Sequence, residues 1–177
     1  MKLKLFAALL LIFGSTLAHA DRISTPDNPK WKAECGSCHI AFPPSLLTKT
    51  EWQQMMNGLD KHFGANASLD AKDAQEILDF LQRHAGSNSK YSAASMRISD
   101  TPWFTREHRE VSQKAWANPA VKSRSNCTAC HVNAEKGDWS ERGIRMPAGL
   151  GGEYGERREH EEHRERGSRR YRDRDDD

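Results

Sequence analysis

All four cysteines of the 177-residue chain lie in two short runs, Cys35-Gly36-Ser37-Cys38-His39 and Cys127-Thr128-Ala129-Cys130-His131. Three chemistries suit a Cys-x-x-Cys pair. A disulfide across so short a span closes a tiny loop and stabilises little, because little loop entropy is removed. A zinc site built from both pairs is disfavoured by the 88 residues between Cys38 and Cys127, far beyond the usual spacing. The histidine that follows each pair at once selects the third chemistry. Two thiols separated by two residues, wound as a turn of helix, reach neighbouring vinyl groups of one haem, and the next residue turns its imidazole to the iron. The doubled motif predicts two covalently bound haem c groups, one on Cys35, Cys38 and His39 and one on Cys127, Cys130 and His131.

An iron held by one histidine has a sixth position to fill, and the group that fills it largely sets potential and reactivity. Outside the two motifs and the chain termini, the candidates are His62, His84 and His108, with Met55, Met56, Met96 and Met146 as competing thioethers.

The elements that must position these groups read as helices. Residues 21–34 read as an irregular lead-in, with Pro26 and Pro29 opposing helix and Trp31 placed to cover a haem edge. Phe42-Pro43-Pro44 should stop the short helix of the first motif. Thr48 with Glu51 three residues on reads as a capping box. The helix it starts carries Trp52, Met55, Met56, Leu59 and Phe63 on one apolar face and ends at Gly64. A further helix starts after Asp70, with Ala74, Ile77, Leu78 and Leu81 on one face, and ends at Gly86. The polar stretch 86–100 reads as a loop. Thr101 as N-cap and Pro102 at the first helical position start another helix, with Phe104, His108, Val111 and Ala115 inward and Pro119 at its end. Residues 137–152 read as mostly irregular. No strand alternation is convincing, so the fold class is all-α, a small multi-helix domain with extensive loops.

His108 lies in the middle of an apolar helical face. His62 and His84 sit alike, because Trp52–Gly64 can be laid over Ala74–Gly86, each histidine at the edge of an apolar stripe just before a glycine. Periodicity does not choose between them. His62 follows His39 by 23 residues and His108 precedes His131 by 23, a symmetry that suggests His62 without deciding it.

Composition bounds the rest. Lys2 and Lys4, the nine-residue apolar run Leu5–Phe13 and Ala18-His19-Ala20 read as a cleaved secretory signal over residues 1–20. A membrane-spanning helix would need roughly 20 apolar residues, so no stable membrane insertion is expected. The mature chain, from Asp21, balances 25 basic against 25 acidic residues, which argues against a nucleic-acid partner. The domain should occupy residues 21–150. Residues 151–177 hold 8 arginines, 10 acids and no aliphatic side chain, and read as a disordered charged tail in which His160 and His163 carry no expected role.

The order Trp31, Cys35-Gly-Ser-Cys-His39, Phe42-Pro-Pro-Ser-Leu-Leu, Glu51-Trp52, Leu59-Asp-Lys-His62-Phe63-Gly64, Arg97-Ile-Ser-Asp-Thr-Pro-Trp103-Phe104, His108 and Cys127-Thr-Ala-Cys-His131 resembles the dihaem cytochrome c family, over about residues 31–147. The resemblance implies His62 and His108 as distal ligands and His84 as a surface or loop-edge residue. It implies electron shuttling in the periplasm, between a membrane cytochrome b or quinol-linked donor and a soluble haem-protein acceptor of the oxygen-binding sphaeroides haem protein type. It does not reach the charged tail. Bis-histidine ligation leaves no open iron, which favours electron transfer over enzymatic oxygen or peroxide chemistry. The alternatives are a haem enzyme, for which the chain is short, and a gas or redox sensor with one labile iron site.

Overall fold

The computed structural model describes Ile23 and residues 26–150; the expected signal segment, Asp21 and the charged tail lie outside the described residues. Five helices lie among these: α1 (Pro29–Cys35), α2 (Lys49–Asn57), α3 (Ala71–His84), α4 (Pro102–Glu107) and α5 (Gln113–Trp116), joined by loops and single 3-10 turns. No strand forms among the described residues, only isolated bridges, so the domain is all-α. None of the described helices is long and apolar enough to cross a membrane.

The lead-in is helical where an irregular segment was expected. Pro29 stands in the first turn of α1, where its missing N–H leaves no bond unmade, and Asn28 caps the helix by accepting from the Trp31 N–H at 2.9 Å. The helix stops at Cys35, before the two prolines, and the rest of the first motif winds on as a turn. Pro44 instead opens a 3-10 turn, Pro44–Leu46.

Thr48 does cap α2, but not as a full capping box. Its hydroxyl donates to the Glu51 carboxylate rather than accepting from the helix backbone. The expected run to Gly64 is also cut short. Gly58 closes α2, as a residue that disfavours helix interiors, and a 3-10 turn at Leu59–Lys61 follows. Phe63 (φ 49°) and Gly64 (φ 98°) then swing the chain round, which leaves Phe63 44% exposed instead of on the apolar face. By contrast α3 runs unbroken from its Asp70 cap, whose carboxylate accepts from the Asp73 N–H at 3.0 Å. The two segments that overlay in sequence therefore differ in structure.

The helix expected from Thr101 to Pro119 is likewise two helices. Thr101 caps α4 as anticipated, accepting from the Phe104 N–H at 3.1 Å. The helix ends at His108, and Ser112 captures the Ala115 N–H at 3.1 Å to start α5, an alternative to helix continuation that serine readily offers.

The core forms where α1 and α3 meet α2. Trp31 packs on Phe80 with ring centroids 5.3 Å apart, joined by Leu47, Trp52, Ile77 and Leu81. Trp52 donates its indole N–H to the Pro44 carbonyl at 2.7 Å. A smaller cluster of Leu46, Trp103 and Phe104 anchors α4. Outside the core, Lys30 of α1 pairs with Asp73 and with Glu76 of α3, the latter at 2.7 Å.

Candidate haem sites

A cavity of about 530 Å³, within the size range of cofactor pockets, opens beside the first motif. Cys35 at the end of α1, Cys38 and His39 line one side. Trp31, Leu47, Trp52, Met55 and Met56 form an apolar floor, and His62 with Phe63 stands opposite. Trp31, expected to cover a haem edge, lies in the wall of this cavity. The wall also includes Phe104, Arg124 and Cys127, so the second motif borders the first cavity. His84 is not part of this wall. It ends α3 on the exposed side, its ring 5.1 Å from that of Phe80.

The imidazoles form two pairs. His39 and His62 have ring centroids 6.0 Å apart, and His108 and His131 have centroids 6.1 Å apart. With metal–imidazole bonds of about 2.0 Å and a ring nitrogen about 1.1 Å from its centroid, two rings on opposite sides of one metal have centroids about 6.2 Å apart. Both separations fit that arrangement. Met55, Met56 and Met96 belong to the cavity wall, and Met146 does not.

Hydrogen bonds on the far ring nitrogens point the same way. His39 donates Nδ1–H to the Ile40 carbonyl at 2.7 Å, and His108 donates Nδ1–H to the Phe104 carbonyl at 2.9 Å. A bonded Nδ1–H fixes the tautomer and leaves the Nε2 lone pair for a metal. Burial, first of all, lowers the pKa of His62, His108 and His131, with the neighbouring imidazole adding to it for His62 and His131. Neutral imidazole is the form that binds metal.

The second motif is a 3-10 turn at Cys127–Ala129, closed by the His131 N–H donating to the Cys127 carbonyl at 2.8 Å. The Arg145 N–H bonds the Cys130 carbonyl at 2.8 Å and ties the turn to the C-terminal loop.

No disulfide joins any of the four cysteines, and no cluster of three or more His, Cys, Asp or Glu side chains able to hold a metal ion forms among the described residues. Burial pushes the Cys35 and Cys127 thiols up to about 11, the opposite of what a reactive redox dithiol needs. Among the described residues, four buried polar atoms lack a partner within the chain: Nδ1 of His62 and of His131, and the indole nitrogens of Trp103 and Trp139. Buried polar atoms are rarely left so, and three of the four belong to the imidazole pairs or to Trp139, which touches His131. Polar, apolar and sulfur groups together fit a haem at each motif.

Several neighbours of the site were not anticipated. Phe42 stacks on His39 at 4.7 Å and Phe104 on His108 at 4.0 Å. Trp116 and Trp139 flank the second pair, and Arg97 and Arg124 lie over the rings of Phe63 and Trp116. The spacing of four between Phe104 and His108 was a usable signal. Trp139 offered none.

A family model described as dihaem cytochrome c matches residues 31–139. Among solved structures, the chain is similar to a diheme cytochrome type c from Shewanella baltica OS155, with 38% identity and a TM-score of 0.61 over 70% of this chain and 95% of that one. It is also similar to DHC purified from Rhodobacter sphaeroides, with 38% identity and a TM-score of 0.57 over 64% of this chain and 98% of that one. A second structure of the diheme cytochrome c from Rhodobacter sphaeroides gives 36% identity and a TM-score of 0.58. A search of curated proteins finds no match. With the matched region spanning both attachment motifs and well over half of the sequence, the chain belongs to the dihaem cytochrome c family and carries two covalent haem c groups.

Proposed function

We propose that the protein transfers single electrons through two low-spin haems, each closed by two histidines. In this reading Cys35 and Cys38 attach the first haem, and His39 and His62 close its iron. Cys127 and Cys130 attach the second, and His131 and His108 close that one. The observation that carries it is the pair of imidazole separations, 6.0 and 6.1 Å, both near the value for two rings on one metal.

The haem supplies the one-electron chemistry, and the chain supplies position and exclusion. His62 and His108 would hold the iron positions that oxygen or peroxide would need. Trp31, Leu47 and Trp52 would exclude water from a haem held in the first cavity. The Ile40 and Phe104 carbonyls hold one imidazole of each pair in the ligating tautomer. With both irons closed, the protein acts as a carrier and not as an enzyme. The exchange is assigned to the periplasm, with a membrane cytochrome b or quinol-linked donor and a soluble haem-protein acceptor.

A second reading, a sensor whose first iron opens on reduction, draws on the loop position of His62, followed by two residues of positive φ. One experiment separates the two: spectra of the reduced holoprotein with and without carbon monoxide. Closed sites give low-spin spectra that carbon monoxide does not change. Binding at one haem of the unmodified protein overturns the carrier reading and favours the sensor.

A further inference from the structure

The two imidazole pairs match in separation but not in orientation. The planes of His39 and His62 meet at 31°, whereas those of His108 and His131 meet at 72°. The packing around them differs in the same way. His62 adjoins the exposed ring of Phe63, and His39 is itself exposed, with Phe42 stacked on it. His108 is gripped twice by one residue. The buried Phe104 ring stacks on it at 4.0 Å with only 18° between planes, and the Phe104 carbonyl accepts its Nδ1–H at 2.9 Å. A stacked face and a hydrogen bond together fix both the tilt and the rotation of a ring. Phe104, within α4, is itself fixed by packing against Trp103 and against Leu46 of the Pro44–Leu46 turn.

We propose that Phe104 is a positioning residue that holds His108 crossed against His131, and so makes the second haem iron electronically unlike the first. The proposal rests on the bis-histidine reading above. An imidazole donates π density to iron through an orbital perpendicular to its own plane. Two rings near one plane act on the same d orbital and split it from its partner. Two crossed rings act on one orbital each and leave the two nearly equal in energy. Low-spin ferric iron reports the difference directly: near-parallel rings give a rhombic electron paramagnetic resonance spectrum, and crossed rings give a strongly anisotropic one with a single feature displaced to low field.

The test is the frozen-solution resonance spectrum of the oxidised full-length holoprotein. Two low-spin signals of equal intensity are expected, one rhombic and one strongly anisotropic. Phe104→Leu removes the stacked face and should shift only the anisotropic signal towards the rhombic form. Phe104→Tyr, which keeps the face, should restore it. Phe104→Met serves the same purpose if the leucine variant does not fold. His84→Ala, which removes a ring that belongs to neither imidazole pair, should leave both signals in place. Two rhombic signals in the unmodified protein, or an anisotropic signal that survives loss of the Phe104 ring, overturn the proposal while the bis-histidine reading stands. A high-spin signal in the unmodified protein overturns that reading instead.

Discussion

Three histidines lie outside the attachment motifs among the described residues, and only surroundings tell them apart. His62 and His108 each lie about 6 Å, ring centre to ring centre, from a motif histidine, while His84 leans on Phe80 at the exposed end of α3. Replacing His62 or His108 with alanine should therefore vacate one sixth position. One haem of the two becomes high-spin, and the reduced variant binds carbon monoxide at that haem alone. His84→Ala should leave the spectrum and carbon monoxide response as they are. A high-spin His84 variant beside a low-spin His62 variant would reverse the assignment of the first haem's ligand and leave the dihaem character untouched. The carbonyl contact of His108 adds a graded expectation: a ring whose Nδ1–H is already bonded loses less freedom on binding iron than His62, whose Nδ1 has no partner within the chain.

At the scale of elements, the loop between the first motif and α2 is held from two sides. Glu51, only 6% exposed, accepts from the Thr48 hydroxyl with one oxygen and from the Ser92 hydroxyl at 2.5 Å with the other. Burial alone would raise its pKa, but these bonds prevail and lower it below the ordinary 4.5. A lowered folded-state pKa gives stability that is full above the unfolded value and is lost as pH falls through the folded one. Glu51→Gln should thus remove part of the acid-side loss of melting temperature, and Glu51→Ala should cost about 1–3 kcal/mol at neutral pH by stranding two hydroxyls. The other hold is Gly86, whose N–H bonds the Leu47 carbonyl at 2.8 Å. A methyl there would meet the Ser45 carbonyl oxygen at 2.6 Å and the Tyr91 ring at 2.7 Å, so Gly86→Ala should destabilise by about 1–3 kcal/mol in thermal unfolding. What the sequence made legible follows from the range of each signal. Caps act over three residues, so Thr101, Asp70 and Pro102 were readable, as was the apolar face of α3. Helix breaks at Gly58 and Ser112 depend on which neighbour outbids continuation, and apolar periodicity runs straight through both. Pro29 was misread because a proline opposes helix inside it and favours helix at its start. His62 could not be told from His84 by pattern, because their difference is the break at Gly58 and the position of the first motif across the cavity.

At the scale of the whole molecule, the haems are structural material. Three of the largest buried side chains, Trp31, Leu47 and Leu81, also line the first cavity. A void of about 530 Å³ left dry would cost up to about 13 kcal/mol at the usual cost per unit cavity volume. That figure rivals the entire stability of a typical domain, about 5–15 kcal/mol, so the chain without its first haem must flood or collapse. Residues 151–177 carry no aliphatic side chain to add to this core, and their removal should leave haem content and melting temperature unchanged. With the expected cleavage after Ala20, the intact mass should equal residues 21–177 plus two haems. Replacing Cys35 and Cys38 together with alanine should yield a chain of low helix content and no cooperative melt, even with the second haem in place. The Cys127 and Cys130 pair should behave alike, because Cys127 and Phe104 belong to the same cavity wall. Circular dichroism of each purified variant decides the matter: native helix content with a sharp transition in either one would mean that the protein's own side chains suffice as a core.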